Sequence, residues 1–505
     1  FWPIGEISEA TLQEYIGTLE PFIGKGLTQP EPRLTRLYSD IGVAPHIVGY
    51  TGFIPAEEID SYLADGYRGD EQVGLVGVER WGEEYLNGER GGILTVVGPS
   101  GEFISTVQEI SPKQARSVYT SLELDYQAAV EQALAQAILT LPAGVSSGAV
   151  VVMDVNSGAI RAMASYPTYN PNVFDLAQPD ADVNLGQLFN DPTRPLFNRA
   201  AQGAYPAGSL FKIVTMTAGL NSGLYTPQSL YTSTGSWNVL GDNFIKTDWL
   251  ETGHGTVSLA DALVVSCNSC FYDVAYNLDL QDPYFFPNVA KSFGLGNITG
   301  LQGVREAAGL IPDPDWKIGN VGEGWANGDA VNMGIGQGFV QVTPLQMTTI
   351  FSAIANGGIV YQPTLVDRIG EGGGAPVETL QPRISSELPI RAEDLGIIRD
   401  SLWKVANSSP NGTASLVLAD MSIPTAGKTG TAEAPPNAPH AWYGGYAPAG
   451  PFTNSDGIVI TEPEIAVVVI VENGGQGSEV AAPIFRRVIE LYYGIQPVTP
   501  YPWGG

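Results

Sequence analysis

The sequence predicts an α+β catalytic domain with one sheet assembled from both ends of that domain. Three observations carry the prediction. The apolar runs "GAVVVMDV" and "AIRAMASY" flank the turn Asn156-Ser157-Gly158 and read as a β-hairpin. A helical block follows. Late in the chain "PTAGKTGTAEA", "HAWYGGYAP" and "EIAVVVIVEN" read as three strands joined by loops.

In order, residues 1 to about 120 read as mixed, turn-rich structure. In this region "HIVGYTGFI" and "GILTVVG" are strand-like, and "AEEIDSYLADG" is a short helix ending at Gly66. The lone His46 beside apolar residues reads as packed, and the region shows no catalytic constellation. Near Ser121 the composition shifts to "LDYQAAVEQALAQAIL", an amphipathic helix rich in Ala, Leu and Gln. The hairpin comes next, then a polar stretch, then a helix beginning at "YPAGSLFK". "GTVSLADALVVSCNSCFYDVAYNL" reads as two helices with a break near Ser266. "TPLQMTTIFSAIANGG" is a helix stopped by Gly357 and Gly358, "GEGGGAPVE" an exposed loop, "RAEDLGIIRDSLWKVA" a helix, and "APIFRRVIELYYG" a closing helix.

A chain of 505 residues exceeds one ordinary core, and the change near Ser121 divides it into 1–120 and 121–505. With 44% hydrophobic and 15% charged residues, it has a folded, core-forming composition. A net charge of −29 repels phosphate backbones, so nucleic acid is not an expected partner. No segment approaches the ~20 apolar residues that cross a bilayer. The start, "FWPIGEIS", has neither an initiator Met nor a signal-like apolar region, and reads as a mid-chain beginning. The two cysteines, Cys267 and Cys270, with only three histidines elsewhere, form no four-ligand zinc set. They read as small half-apolar side chains on one helical turn, with a bridge in an oxidising compartment as the alternative.

Three motifs appear in order: Ser209-Leu-Phe-Lys212, Ser266-Cys267-Asn268 and Lys428-Thr429-Gly430. A serine hydroxyl is scarcely ionised at neutral pH, so it needs a base. Residues i and i+3 share a helix face, which sets Lys212 beside Ser209. Each motif alone is weak; a Ser-x-x-Lys tetrad commonly marks only a solvated helix face. Together and in this order they match the set used by penicillin-binding proteins and class A β-lactamases, with Cys267 at the centre of the second motif.

The chain resembles the monofunctional class B penicillin-binding transpeptidases of bacterial cell-wall synthesis. "GAVVVMDVNSGAIRAMASYPTYNPNVF", "LFNRAAQGAYPAGSLFK", "VSCNSCFYDVA", "MGIGQGFVQVTPLQM", "AGKTGTAE" and "AWYGGYAP" all look like family blocks, and cover most of residues 121 to 490. The resemblance implies the serine β-lactamase/penicillin-binding transpeptidase fold: a five-stranded antiparallel sheet flanked by helices, a helical subdomain, and a mixed α/β non-catalytic pedestal ahead of it. It implies Ser209 as nucleophile, Lys212 as base, and Ser266 as proton bridge to the leaving amine. Asn268 then faces the substrate backbone and Lys212, Lys428 supplies positive charge, and Thr429, Gly430 and Thr431 form a strand receiving the substrate carboxylate and backbone. The backbone amides of Ser209 and Thr431 form the oxyanion hole. The reaction implied is D-Ala-D-Ala acyl transfer between peptidoglycan stem peptides, with no metal or organic cofactor and with β-lactams as trapped mimics. A membrane glycosyltransferase within a cell-wall synthesis complex is the implied partner. The location implied is outside the cytoplasm, on an N-terminal membrane helix not in this sequence. The rival readings are a D,D-carboxypeptidase or β-lactamase, in which water is the acceptor, and a β-lactam sensor.

Overall fold

The computed structural model describes residues 9–22, 36–39, 42–88, 91–100, 103–142, 144–175, 180–371, 376–454, 456–498, 500–501 and 503. The predicted chain start, residues 1–8, and the centre of the predicted loop, residues 372–375, lie outside the described residues.

The N-terminal region is built from short pieces. Tyr50–Phe53 pairs antiparallel with Gln72–Val76, and Gly92–Val97 pairs with Phe103–Ile110 in a hairpin exposed on both faces. "HIVGYTGFI" is not one strand. Pro45, whose φ is already fixed near the helical value, opens a helical turn, Pro45–Val48. Gly49 ends that turn at φ +83°, where a Cβ would lie 1.9 Å from the Val76 carbonyl oxygen. This region is tied to the rest of the chain. Ser117–Thr120 pairs with Val366–Gly370, the Ala44 N–H donates to Glu131, and the Tyr169 hydroxyl donates to the Pro45 carbonyl. Part of the predicted loop after Gly370 is strand: Pro376–Thr379 pairs back onto Arg368–Gly370.

Beyond residue 120, five strands form the central sheet: β1 (Gly148–Asp154), β2 (Ile160–Tyr166), β3 (Ala426–Ala434), β4 (Asn437–Ala447) and β5 (Ile465–Val471). Their order is β3-β4-β5-β1-β2, antiparallel throughout, so the sheet is joined from both ends of the domain as predicted. Six helices matter for the site: α1 (Leu124–Leu139), α2 (Lys212–Asn221), α3 (Asn268–Gln281), α4 (Pro344–Ala355), α5 (Ala392–Asn407) and α6 (Ala482–Tyr492).

Alternation along the strands divides the core. Ala149, Val151 and Met153 of β1 join α2, α3 and α4 on one face, while Val150 and Val152 join α1 and α6 on the other. Because both faces are covered, β5 is apolar at every position and fully buried. All twelve residues of α4 are buried, so the helix is covered on every side, and its polar side chains Gln346, Thr348 and Thr349 are satisfied by backbone carbonyls. A Cβ at Gly444 would stand 2.2 Å from the Phe351 ring, so a glycine lets α4 lie on the sheet. Strand β3 is an edge. One row of its backbone amides and carbonyls has no partner strand, and it carries the third motif.

The Ser209 helix differs from its prediction. Gly208–Phe211 is a 3₁₀ turn, and α2 starts only at Lys212. At 3.0 residues per turn, positions i and i+3 lie on one side of the turn, which puts Lys212 and Ser209 on a common face.

Candidate active site

Three segments converge at one end of the sheet. The first is the 3₁₀ turn, introduced by Gly208 at φ +55°, where a Cβ would lie 2.8 Å from the Thr431 carbonyl oxygen. A side chain there would push the turn off β3, so glycine allows Ser209 to stand against the strand. Ser209 is half-buried and Lys212 is fully buried. Gly430 has the same role from the strand side. A Cβ on it would meet the Leu210 side chain at 2.5 Å and the Trp442 Cβ at 2.9 Å. The missing side chain predicted as room for substrate is thus first required by the packing of the nucleophile turn.

The second segment is the break between Leu259–Val264 and α3. Ser266 there has φ +56°, a left-handed backbone costing of order 1–3 kcal/mol in a non-glycine residue. The conformation places both its carbonyl and its hydroxyl on Lys212. The Lys212 ammonium donates to the Ser266 carbonyl at 2.7 Å, to Ser266 Oγ at 3.2 Å and to Asn268 Oδ1 at 2.6 Å. All three of these bonds go to the second motif.

The third segment is β3. Lys428 Nζ donates to Ser266 Oγ at 2.8 Å and to the Thr429 carbonyl at 3.1 Å. Two lysines, each with no exposed surface, thus meet on one serine hydroxyl. Thr429 shares its hydroxyl with Thr413 at 2.8 Å, and the Thr431 hydroxyl donates to Gln476 at 3.1 Å. The structure brings Lys212, Ser266, Asn268 and Lys428 into one hydrogen-bonded cluster, with Ser209 at its edge and Thr429, Gly430 and Thr431 along the adjoining strand.

Burial sets the electrostatics. Desolvation takes Lys212 down to about 7, against the pull of the Asp248 carboxylate. Lys428 is pushed well below its ordinary value by burial and then by the charge of Lys212. The charge of either amine disfavours a second charge beside it, so the pair resists carrying two protons at once.

Motif reading missed Asp248, Trp249, His254, Thr413 and Gln476. Burial alone would raise Asp248, but hydrogen bonds from His254 and the Ser269 amide, together with the Lys212 charge, hold it well below the usual carboxylate range. Trp249 Nε1 donates to the Val265 and Ser266 carbonyls at 3.1 and 3.2 Å, fixing the break from outside. These residues lie in loops with no periodicity, and no spacing signal in the sequence marks them.

The favoured reading of Cys267 and Cys270 as thiols is corrected: they form a disulfide. Cys267 is the N-cap of α3, and its Sγ accepts from the Cys270 amide at 3.1 Å. An N-cap side chain folds back onto the third residue of its helix. That third residue is a cysteine here, so sulfur meets sulfur. Asp248, His254 and Cys267 bring ligand-type atoms within 4.8 Å of one another. With the Cys267 sulfur in a disulfide, only the carboxylate and the imidazole remain as donors, and Asp248 is already bonded to Ser269. This set does not form a closed metal site. His46 is packed as expected. Its Nε2 meets the Pro195 carbonyl at 2.6 Å, and burial lowers it to about 4. A cavity of about 780 Å³ lies between the N-terminal region and the 196–202 loop, lined by Tyr50, Arg80, Trp81, Asn198 and Arg305 rather than by the motif residues.

A serine beside a buried lysine of lowered proton affinity, facing an edge strand that presents a second amine, defines a class: serine acyl-transfer enzymes with a lysine base. The family described as "Penicillin binding protein transpeptidase domain" matches residues 148–490, and "Penicillin-binding Protein dimerisation domain" matches residues 7–120. The chain belongs to the penicillin-binding protein transpeptidase family, in its class B group. The peptidoglycan D,D-transpeptidase MrdA of Escherichia coli (strain K12) is 31% identical over 472 residues, 90% of this chain and 71% of that protein. The structure described as "Structural coordination of polymerization and crosslinking by a peptidoglycan synthase complex" aligns with TM-score 0.78 and 32% identity over 98% of this chain and 82% of the other. The penicillin G acyl-enzyme complex of penicillin-binding protein A from Mycobacterium tuberculosis aligns with TM-score 0.62 and 28% identity, over 76% of this chain and 82% of that one.

Proposed function

We propose that the protein is a peptidoglycan D,D-transpeptidase in which Ser209 is the nucleophile and Lys212 its base. One observation carries the residue assignment: the Ser266 hydroxyl receives hydrogen bonds from Lys212 and Lys428 at once, in full burial. Such a hydroxyl relays a proton between two amines.

In its neutral form Lys212 takes the Ser209 proton as Oγ attacks the carbonyl carbon of the penultimate D-Ala. The Ser209 and Thr431 amides hold the developing oxyanion, each such donor worth ~3 kcal/mol. The proton passes from Lys212 through Ser266 to the departing D-Ala amine, the amide C–N bond breaks, and an ester remains on Ser209. The acceptor amine of a second stem peptide attacks that ester and gives its proton back through Lys212 to Ser209. Asn268 and the free edge of β3 hold the donor peptide as an added strand. Lys428, with the hydroxyls of Thr429 and Thr431, receives its terminal carboxylate. A β-lactam follows the first half of this path and stays attached. The chain's own groups perform every step, and the proposal includes no metal or cofactor.

The matches to residues 7–120 and 148–490 support a non-catalytic pedestal over 1–120 and a transpeptidase domain over 121–505. Among the described residues no helix is long and apolar enough to cross a membrane. We place the protein outside the cytoplasm at the membrane, in line with its likeness to the peptidoglycan D,D-transpeptidase MrdA. Its proposed partner is a membrane glycosyltransferase, in line with the peptidoglycan synthase complex of a related structure.

The test supplies a D-Ala-D-Ala stem peptide with a second stem as acceptor and follows products by mass spectrometry. A cross-linked dimer with release of D-Ala is expected. Release of D-Ala to water with no dimer would make the protein a carboxypeptidase, and no reaction at all would make it a sensor.

A further inference from the structure

Directly after β5, the sequence "VEN" holds a carboxylate that none of the three motifs contains. Glu472 receives the Ser147 hydroxyl at 2.5 Å, Arg199 Nε at 3.1 Å and the Tyr205 hydroxyl at 2.5 Å, and its own N–H donates to the Ser147 carbonyl at 2.8 Å. Arg199 is 4% exposed and Tyr205 8% exposed. The remaining Arg199 donors bind the Thr193, Arg194 and Phe197 carbonyls, so its guanidinium also knits the preceding loop.

The segment bound in this way leads to Ser209. From residue 199 to 207 the chain forms neither helix nor extended strand, and its course depends on individual contacts. Tyr205 exchanges backbone hydrogen bonds with Val342, and the Pro206 carbonyl accepts from the Trp442 indole at 3.1 Å. The Tyr205 ring packs edge-on against Trp442 and His440, and Trp442 is the partner of Gly430 in the β3–β4 register. Tyr205 thus lies between the sheet that carries Gly430 and the turn that carries Ser209. Glu472 holds the outer end of its ring. The same carboxylate opens the 472–477 turn, whose Gln476 receives the Thr431 hydroxyl.

We propose that Glu472 is a positioning residue for acyl transfer: through the Tyr205 hydroxyl it fixes the distance between the Ser209 turn and β3. This rests on the reading of Ser209 as nucleophile. A hydrogen bond to a charged group is among the stronger ones, and its loss loosens a turn whose placement sets the attack geometry.

The experiment uses the whole chain and a chromogenic cephalosporin or fluorescent penicillin as probe. It separates the non-covalent dissociation constant from the first-order acylation constant, and records the melting temperature. Tyr205→Phe removes one hydroxyl and keeps the ring; Glu472→Gln keeps the shape and removes the charge. Each is expected to slow acylation about tenfold or more, with non-covalent binding within twofold. The double variant is expected to be no slower than the worse single one, because both break one linkage. Unchanged acylation in Tyr205→Phe would overturn the proposal, as would losses that multiply in the double variant or that follow melting temperature alone. Should Glu472→Gln not fold, Tyr205→Phe decides by itself. If Ser209→Ala still accepts the probe, the nucleophile assignment has failed; if only the Glu472 and Tyr205 variants behave as wild type, this inference alone has failed.

Discussion

In Lys212 the property that suits it to the proposed role of base and a stability cost fall on one group. In an unfolded chain a lysine titrates near 10.4; in the fold burial brings Lys212 to about 7. Between those values the unfolded chain binds a proton that the native protein does not. The unfolded state holds more protons, so this residue makes stability rise with pH from about 7 toward 10 and lowers it at the acidic end of that window. The shift that frees the amine as a base near neutrality therefore opposes folding there. Acylation by penicillin is expected to increase with pH along a curve with its midpoint near 7, and to flatten above it. Lys212→Met should reduce acylation by at least a hundredfold. A flat pH–rate profile from 5.5 to 8.5 would contradict the base assignment.

At the scale of elements, the site depends on irregular pieces between regular ones: a 3₁₀ turn before α2, a left-handed serine before α3, and an edge strand. The sequence marked the regular pieces. Apolar periodicity predicted α1, α4, α5 and α6, and alternation around Asn156-Ser157-Gly158 predicted the β1–β2 hairpin. It did not mark the 3₁₀ turn, because Ser-Leu-Phe-Lys fits an α-turn as well. It offered the Cys267–Cys270 bridge only as the second reading, because the N-cap geometry that brings the sulfurs together is visible only once the start of α3 is fixed. Asp248 and Trp249 were also invisible, since they reach Ser269 and Ser266 from a loop about twenty residues away. The reason for Gly430 belongs to this scale. Gly430→Ala places a methyl against Leu210 and Trp442, and should separate the turn from β3. Penicillin acylation is expected to fall by at least tenfold, and Leu210→Ala in the same chain should restore part of it by making room. No rescue would mean that the glycine serves the substrate alone.

For the whole molecule, the fold brings residues more than 200 positions apart together, Ser209 and Thr431 among them: β1 and β2 precede Ser209, while β3, β4 and β5 follow it. That arrangement was legible because the early hairpin and the three late strands are each too few to form an independent core. The N-terminal region was less legible. Its strands are short, its apolar hairpin at 92–110 is exposed, and its attachment runs through long-range pairs such as Ser117–Thr120 with Val366–Gly370. Pattern reading cannot see such pairs. The proposed acyl transfer on Ser209 is tested most directly by intact-protein mass spectrometry after incubation with penicillin, followed by peptide mapping. A single adduct on the peptide containing Ser209, absent from Ser209→Ala, is the expected result. An adduct on any other peptide, or one that persists in Ser209→Ala, would contradict the assignment.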